Sequence, residues 1–119
     1  MTAQWNYTMS ERLFSIAREF SPNPGPRFIR QGKFSGEALR RKLMEVLAGP
    51  EDTIVVDLDG TKGIGSSFLD EAFGGLIRSE RKSKDDILRR FKFRSSLDPS
   101  YIDTIHDSIE RATPDGTVH

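Results

Sequence analysis

The stretch from Asp57 to Glu71 combines the residue types that most often carry chemistry. It begins with Asp57 and Asp59, crosses a glycine-rich loop and reaches the adjacent hydroxyl side chains of Ser66 and Ser67. The N–H groups of such a loop can bind phosphate, and the start of a helix favours negative charge. A serine at that position can therefore carry a phosphate without harm to the helix. This stretch is the candidate functional site.

Two nucleotide-binding motifs are incomplete here. Gly60 and Gly65 have the spacing of the glycines in a nucleoside triphosphatase loop, and Ser67 falls on its metal-binding hydroxyl, but Ser66 replaces the required lysine. The run Gly63-Ile64-Gly65 resembles the start of a dinucleotide-binding fingerprint. The third glycine of that fingerprint, which allows close packing of helix on strand, is absent here.

Phe68 stands in place of the third glycine of the dinucleotide-binding fingerprint, and its ring would hold the helix away from the strand. A hydrolytic triad of Ser67, His106 and Asp57 is a further enzymatic interpretation, because triad residues meet only in the fold. However, the Gly-x-Ser-x-Gly elbow of such hydrolases is absent around Ser67. We therefore expect no catalytic residue, no cofactor and no metal ion.

Two interpretations of the serine pair stay open and are compatible. As structural residues, Ser66 or Ser67 would cap a helix, and Ser67 with Asp70 would form a capping box. As functional residues, they would act as a switch, because phosphorylation adds about −1.5 to −2 units of charge to a surface that could dock a partner.

The hydrophobic pattern alternates between strands and helices, which is typical of a sheet with parallel strands and helices packed on it. The predicted strands are Leu13–Phe20, Thr53–Leu58 and Ile87–Phe93, with a short first strand at Trp5–Met9 and an extended piece at Phe28 and Ile29. The predicted helices begin at Ser35, at Ser66 or Ser67, and at Asp98. The apolar run from Thr53 predicts a central strand covered on both faces.

Each predicted helix has one apolar face. The residues of these faces are Leu39, Leu43, Val46 and Leu47 in the first helix, Leu69, Ala72, Phe73 and Leu76 in the second, and Ile102, Ile105, Ile109 and Ala112 in the third. In the first helix, Arg40, Arg41 and Lys42 are predicted to face away from the core.

Composition narrows the function classes. The 119 residues include 18 basic and 18 acidic ones, so no overall field attracts nucleic acid or membrane. The chain has no cysteine, which excludes disulfides and thiolate chemistry. No apolar run approaches the length of a bilayer span, and the first residues lack the pattern of a signal peptide. These features predict a cytosolic protein.

The segment 87–94 provides the alternative function. Phe91 and Phe93 alternate with Arg90, Lys92 and Arg94, and Arg89 adds a further charge. Aromatic and basic residues in alternation can bind single-stranded nucleic acid. The same pattern is typical of an edge strand whose aromatic residues face the core while its charges are solvated.

The candidate site resembles the STAS domain, the fold of the bacterial anti-sigma-factor antagonists. In that family a hydrophobic strand leads to a loop ending in Asp-Ser-Ser-Gly, and one serine is phosphorylated by a partner kinase that is also the anti-sigma factor. Here Ile54 to Leu58 matches the strand, and Ser66 and Ser67 match the serine pair. Gly65 and Phe68 stand where the antagonists have Asp and Gly.

A group of bacterial STAS-like domains is similar over more of the chain, roughly from Leu13 to Ala112. Its Ser-Ser-Phe-x-Asp-Glu element is seen at Ser66 to Glu71. Its Pro-Gly-x-Arg and Ser-Gly-Glu elements resemble Pro24 to Arg27 and Ser35 to Glu37.

The resemblance implies a single-domain α/β fold, a STAS-like mixed sheet with three helices, over residues 13–112, flanked by segment 1–12 and a flexible tail at 113–119. It implies a regulatory binding module rather than an enzyme, with Ser67 and then Ser66 as phosphoacceptors. Its partner would be an ATP-binding, serine-kinase-like protein subunit. The partner surface would include Gly63, Ile64, Gly65, Phe68, Asp70 and Glu71, with Asp57 and Asp59 as structural neighbours.

Overall fold

The computed structural model describes residues 10–115. The strands are β1 (Glu11–Ser15), β2 (Thr53–Asp57) and β3 (Phe91–Arg94). The helices are α1 (Ile16–Glu19), α2 (Gly36–Leu47), α3 (Ser66–Leu69), α4 (Gly75–Arg78), α5 (Lys84–Arg90) and α6 (Ser100–Arg111). A π-helical turn, Asp70–Gly74, joins α3 to α4, and we call this continuous unit, residues 66–78, the central helix. The three expected helices are α2, the central helix and α6, and the short helices α1 and α5 are additional.

The strands form one parallel sheet in the order β1-β2-β3. The register aligns Ser15 with Asp57, and Asp57 with Arg94. Because the strands are parallel, their carboxyl ends meet at one edge of the sheet, where ligand and partner sites of α/β proteins usually lie. The α/β fold agrees with the sequence-based expectation, but the sheet expected to be mixed has only parallel pairs within residues 10–115. The glycine-rich loop leaves the sheet at this edge.

One face of the sheet is largely buried. Its buried residues are Phe14, Ile54, Val56 and Phe91, each no more than 3% exposed, while Arg12 and Phe93 on the same face are half-buried. The opposite face is less well covered, since Val55 is half-buried and Lys92 is exposed. The prediction that β2 would be covered on both faces is therefore wrong, because the intervening residues of its apolar run reach a partly open surface.

The helices bury the predicted apolar faces. All four residues predicted for α2 are buried, as are Leu69, Ala72, Phe73 and Leu76 of the central helix. In α6 the face is formed by Ile105, Ile109 and the adjoining Ala112, while Ile102 is half-buried. Ser35 caps α2 as predicted, since its Oγ accepts a hydrogen bond from the backbone N–H of Ala38 at 3.1 Å.

Helix α2 and the central helix approach each other closely at Gly36. A Cβ atom at this position would lie 2.5 Å from the carbonyl oxygen of Phe68, a backbone atom that cannot move aside cheaply. Glycine is therefore required here for the two helices to pack, and this packing fixes the start of the central helix.

The first strand is shorter than the predicted segment Leu13–Phe20. It ends at Ser15, whose Oγ accepts a hydrogen bond from the N–H of Arg18 at 3.2 Å and so begins α1. A serine that caps a helix competes with the strand ladder for the backbone, which explains the early end of the strand.

The segment predicted as strand Ile87–Phe93 is half helix. Ser83 caps α5 by accepting a hydrogen bond from the N–H of Asp86 at 3.3 Å, and Asp85 and Asp86 lie in its first turn, where the helix dipole favours acids. Strand β3 begins only at Phe91. The N-cap signal at Ser83 outweighs the alternation that favoured a strand.

The remaining boundaries differ from prediction by small amounts. Helix α6 begins at Ser100, two residues after the predicted cap Asp98, whose Oδ1 accepts a hydrogen bond from the N–H of Ser100 at 3.2 Å. Ile29 begins a 3-10 turn (Ile29–Gln31) instead of an extended piece. The predicted strand Trp5–Met9 lies outside the described residues.

Among the helices of residues 10–115, none is long and apolar enough to cross a membrane.

Candidate functional site

Ser66 and Ser67 open the central helix, and both are exposed. The N-cap position is occupied by Gly65, which has no side chain with which to cap. The predicted capping box of Ser67 and Asp70 is therefore wrong, because both serines lie inside the first helical turn. Within the part of the chain that the structure describes, neither serine hydroxyl has a protein hydrogen-bond partner.

Backbone conformation shapes the loop between β2 and the serines. Gly60 and Gly63 have φ angles of 93° and 67°, in the left-handed region that favours glycine. Gly65 has an ordinary φ of −89°. At least two of the loop glycines are thus explained by turn geometry, which weakens the interpretation of this run as a nucleotide-binding loop.

The two aspartates at the end of β2 hold neighbouring loops. The Oδ1 atom of Asp57 accepts a hydrogen bond from the N–H of Asp59 at 3.0 Å. The carboxylate of Asp59 accepts hydrogen bonds from the N–H groups of Ser96 and Leu97 at 3.1 and 3.0 Å, which hold its pKa below the ordinary value. Asp57 also pairs with Arg94 at 3.1 Å. These contacts join the loops that follow β2 and β3.

A polar cleft of about 440 Å³ lies beside the serine pair. The central helix, α6 and the loop before α2 supply its walls. The charged side chains of its lining are Arg27, Asp70, Arg78 and Arg111, and Ser66 and Ser67 also line it. The lining thus has three arginines and one carboxylate, and Arg111 pairs with Asp107 of α6 outside the lining.

Asp70 is held by two of these arginines. Its Oδ2 atom lies 3.0 Å from Arg27 Nη1 and 3.1 Å from Arg78 Nη2. Gly74 leaves room for this arrangement, since a Cβ there would lie 2.8 Å from Arg78 Nη1 and 3.0 Å from Asp70 Oδ1. Asp70 therefore joins the loop before α2 to the central helix, next to the serines.

Glu71 is buried and lies at the centre of the same ionic network. Its carboxylate accepts hydrogen bonds from Arg40 Nη1 at 2.5 Å and from Arg27 Nη1 at 3.1 Å. Arg40 also donates from Nε to Glu80 at 3.0 Å. The prediction that Arg40 faces away from the core is wrong, because its side chain is only 10% exposed and is directed at the central helix.

The residues expected to contact a partner fall into two groups. Gly63 and Gly65 are exposed, and Asp70 is half-buried. By contrast, Phe68 is 0% exposed and Ile64 and Glu71 are buried. The expectation that these three side chains contact a partner is corrected accordingly, since they pack beneath the surface and support the serine pair from inside. The sequence named Arg27 only as part of a motif and predicted Arg40 to face away from the core, so no arginine of the network was assigned to the site.

The structure does not bring the possible hydrolase residues together. Ser67, Asp57 and His106 each line a different cleft. The ring of His106 packs edge-on against Phe93, with 5.6 Å between centroids. In the described range, 10–115, no group of three or more histidine or acidic residues could hold a metal ion.

The basic segment 89–94 is largely engaged within the fold. Phe91 is buried, and Phe93 packs edge-on against Phe73 with ring centroids 5.5 Å apart. Arg90 donates hydrogen bonds to the carbonyl oxygens of Leu47, Gly49 and Glu51, and Arg94 pairs with Asp57. Phe91 is therefore not displayed for stacking with bases, and Phe93 is half-buried.

Acid should weaken the fold partly through Asp70. Burial favours the neutral form of Asp70, but the hydrogen bond from Arg27 and the charge of Arg78 outweigh this effect, so its pKa lies below the ordinary value. A carboxyl whose pKa is lower in the folded state stabilises the fold above its unfolded pKa, about 3.9 for Asp. That stabilisation is lost as the pH falls through the folded-state pKa.

We therefore expect Asp70→Asn to reduce the loss of unfolding free energy below about pH 4, measured by urea denaturation at a series of pH values. The loss should shrink without vanishing, because the pKa of Glu19 is also lowered, by its hydrogen bond from Arg12, as is that of Asp59. Asp103→Asn, which removes an exposed carboxylate of α6, is the control. Equal acid slopes for wild type and Asp70→Asn would contradict this account.

Comparison with known proteins adds one match. Searches of the curated proteins and of the solved structures found no significant match. A family model described as a STAS-like domain of unknown function (DUF4325) matches residues 35–101. This range is more than half of the 119 residues and includes β2, the glycine-rich loop, the serine pair, the central helix and β3. The chain therefore belongs to the STAS-like domain family DUF4325.

Proposed function

We propose that this protein is a regulatory protein-binding module whose partner contact is switched by phosphorylation of Ser67, with Ser66 as a second acceptor. One observation carries the proposal. Both hydroxyls are exposed at the start of a helix, at the rim of a cleft with three arginines, and neither has a hydrogen-bond partner among residues 10–115. A kinase can therefore reach them, and the added charge finds favourable surroundings.

The fold should tolerate a phosphate at this position. The first turn of a helix favours negative charge, by about 0.3–1 kcal/mol for an exposed group. No apolar side chain has to leave the core, since Phe68 and Leu69 are directed inward while the serines face solvent. Phosphorylation would thus change the surface of the protein without unfolding it.

The same phosphate would oppose a docked partner. The surface next to Ser67 includes the exposed backbone of Gly63 and Gly65 and the exposed side chain of Lys62. A charge of about −1.5 to −2 on this surface would repel an acidic partner. Any other partner would have to remove the water bound to the phosphate before it could dock. The proposed partner is an ATP-binding, serine-kinase-like subunit, as in the antagonists that the site resembles, and the module acts in the cytosol without catalysis of its own.

The test uses a kinase-like ATPase, sought among the genes encoded next to that of this chain. After incubation with ATP, mass spectrometry should locate phosphate on Ser67 or Ser66, and Ser67→Ala should remove most of it. Ser67→Asp should weaken partner binding by tenfold or more, about 1.4 kcal/mol. Absence of phosphate on both serines, together with unchanged binding by Ser67→Asp, would refute the proposal.

A further inference from the structure

The cleft beside the serines is lined by more basic than acidic side chains, and each of its arginines has an ion-pair partner within the fold. Arg27, Arg78 and Arg111 line it, and Asp70 is the carboxylate among the lining residues. The side chains of Arg27 and Arg78 are 31% and 25% exposed, so both remain accessible from the cleft. Arg111 pairs with Asp107 at the surface, where both side chains are more than 60% exposed.

We infer that the cleft is an intramolecular binding site for a phosphate monoester on Ser67, held chiefly by Arg27 and Arg78. The inference rests on the proposed function only in taking Ser67 as the acceptor. The protein would bind its own phosphate, so modification would rearrange the ionic network as well as add charge.

The exchange follows from the contacts of Asp70. In the unmodified protein both arginines bond this carboxylate, at 3.0 and 3.1 Å. A phosphate has about twice its charge and three acceptor oxygens, and Arg–phosphate pairs are among the strongest charge-assisted hydrogen bonds. Ser67 precedes Asp70 by three residues and lines the same cleft, so the phosphate would also repel the carboxylate. The guanidinium groups should therefore turn from Asp70 towards the phosphate.

Arg27 would transmit this change to the loop before α2. The loop is tied to itself by the hydrogen bond from Gly25 N to Phe34 O at 2.8 Å, and it displays Ile29 and Phe34, which are 37% and 40% exposed. The backbone of Arg27 is held by the hydrogen bond from Glu37 N to Arg27 O at 2.9 Å, so the exchange of partners would involve its side chain. The modified serine would thus release the tie between this loop and Asp70 while the backbone of the loop stays in place.

The test uses the full chain with phosphoserine incorporated at position 67 during translation, so that neither kinase nor partner is needed. The phosphate is titrated by ³¹P nuclear magnetic resonance in the folded protein and in the same protein unfolded in urea. The midpoint should be about one pH unit lower in the folded state, the lower end of what a neighbouring opposite charge produces. Equal midpoints in the two states would overturn the inference.

Variants assign the effect to the arginines. Arg27→Gln and Arg78→Gln should each reduce the difference between the folded and unfolded midpoints. Arg30→Gln is the matched control, since Arg30 lies in the same loop but stacks on Phe28 at 4.7 Å and does not line the cleft. Circular dichroism verifies that each variant is folded. If both Gln variants titrate like the wild type, the phosphate is not held by these arginines and the inference fails.

The outcomes separate this inference from the proposed function. A lowered midpoint in a protein that no kinase modifies and no partner releases would support the phosphate site and count against the switch. An unshifted midpoint with phosphate-dependent partner release would do the opposite.

Discussion

Replacing Arg40 by methionine should lower the free energy of unfolding by about 3–5 kcal/mol, the usual cost of breaking a buried ion pair by removing one partner. Methionine keeps much of the side-chain volume, so the loss would come from charge and hydrogen bonding. Glu71 would remain buried and keep only the more distant contacts, with Arg27 at 3.1 Å and with Arg78 at 4.0 Å. Glu80 would lose its partner as well. Urea denaturation followed by circular dichroism measures the effect.

The neighbouring residue supplies a matched control. Arg41→Met removes a side chain that is 67% exposed and pairs with Glu37 at 3.4 Å, so it should cost less than about 1 kcal/mol. The double variant Arg40→Met with Glu71→Leu should recover part of the loss, because no uncompensated carboxylate is left in the interior. Similar losses for Arg40→Met and Arg41→Met would show that the buried network contributes little.

Replacing Phe68 by alanine should be equally costly, at about 3–5 kcal/mol, because a large side chain is removed from a well-packed site. Phe68 is 0% exposed, and its ring lies 6.2 Å from that of Phe20, between centroids. Its backbone carbonyl also faces Gly36 of α2. The cavity would lie directly beneath the serine pair, so the start of the central helix should become less ordered.

Phe34→Ala is the control for this substitution, since Phe34 belongs to the same group of rings but is 40% exposed. It should cost about 1–2 kcal/mol. Hydrogen exchange of the first turn of the central helix gives a second measurement. Equal stability losses in the two variants, or unchanged exchange at the serines in Phe68→Ala, would contradict the role assigned to Phe68.

The sequence allowed much of the fold to be predicted, where several signals agreed. Strand β2 has β-branched residues, and α2 has a serine cap, an apolar stripe and a closing Gly-Pro, so both were predicted within a residue or two of their ends. Strand β3 was misjudged because the alternation from Ile87 and the cap at Ser83 favoured different structures. The local hydrogen bond at Ser83 determined the outcome.

The site was predicted in part. The position of the serine pair at a helix start follows from the strand, the glycine loop and the apolar stripe after it. The ionic network did not follow, because Arg27, Arg40 and Asp70 are far apart in sequence and meet only in the fold. One signal was present, since Gly36, Arg40, Leu43 and Leu47 follow the spacing of a single helical face. An arginine on that face indicates a buried acid opposite.

The central claim concerns what a phosphate at residue 67 does to docking and to folding. Its most direct measurement is calorimetric titration of the kinase-like partner into the phosphoserine-67 protein and into the unmodified protein, with urea midpoints recorded for both. We predict affinity at least tenfold weaker for the phosphorylated form and a urea midpoint no lower than that of the unmodified protein. Equal affinities, or a phosphorylated protein that is markedly less stable, would contradict the claim.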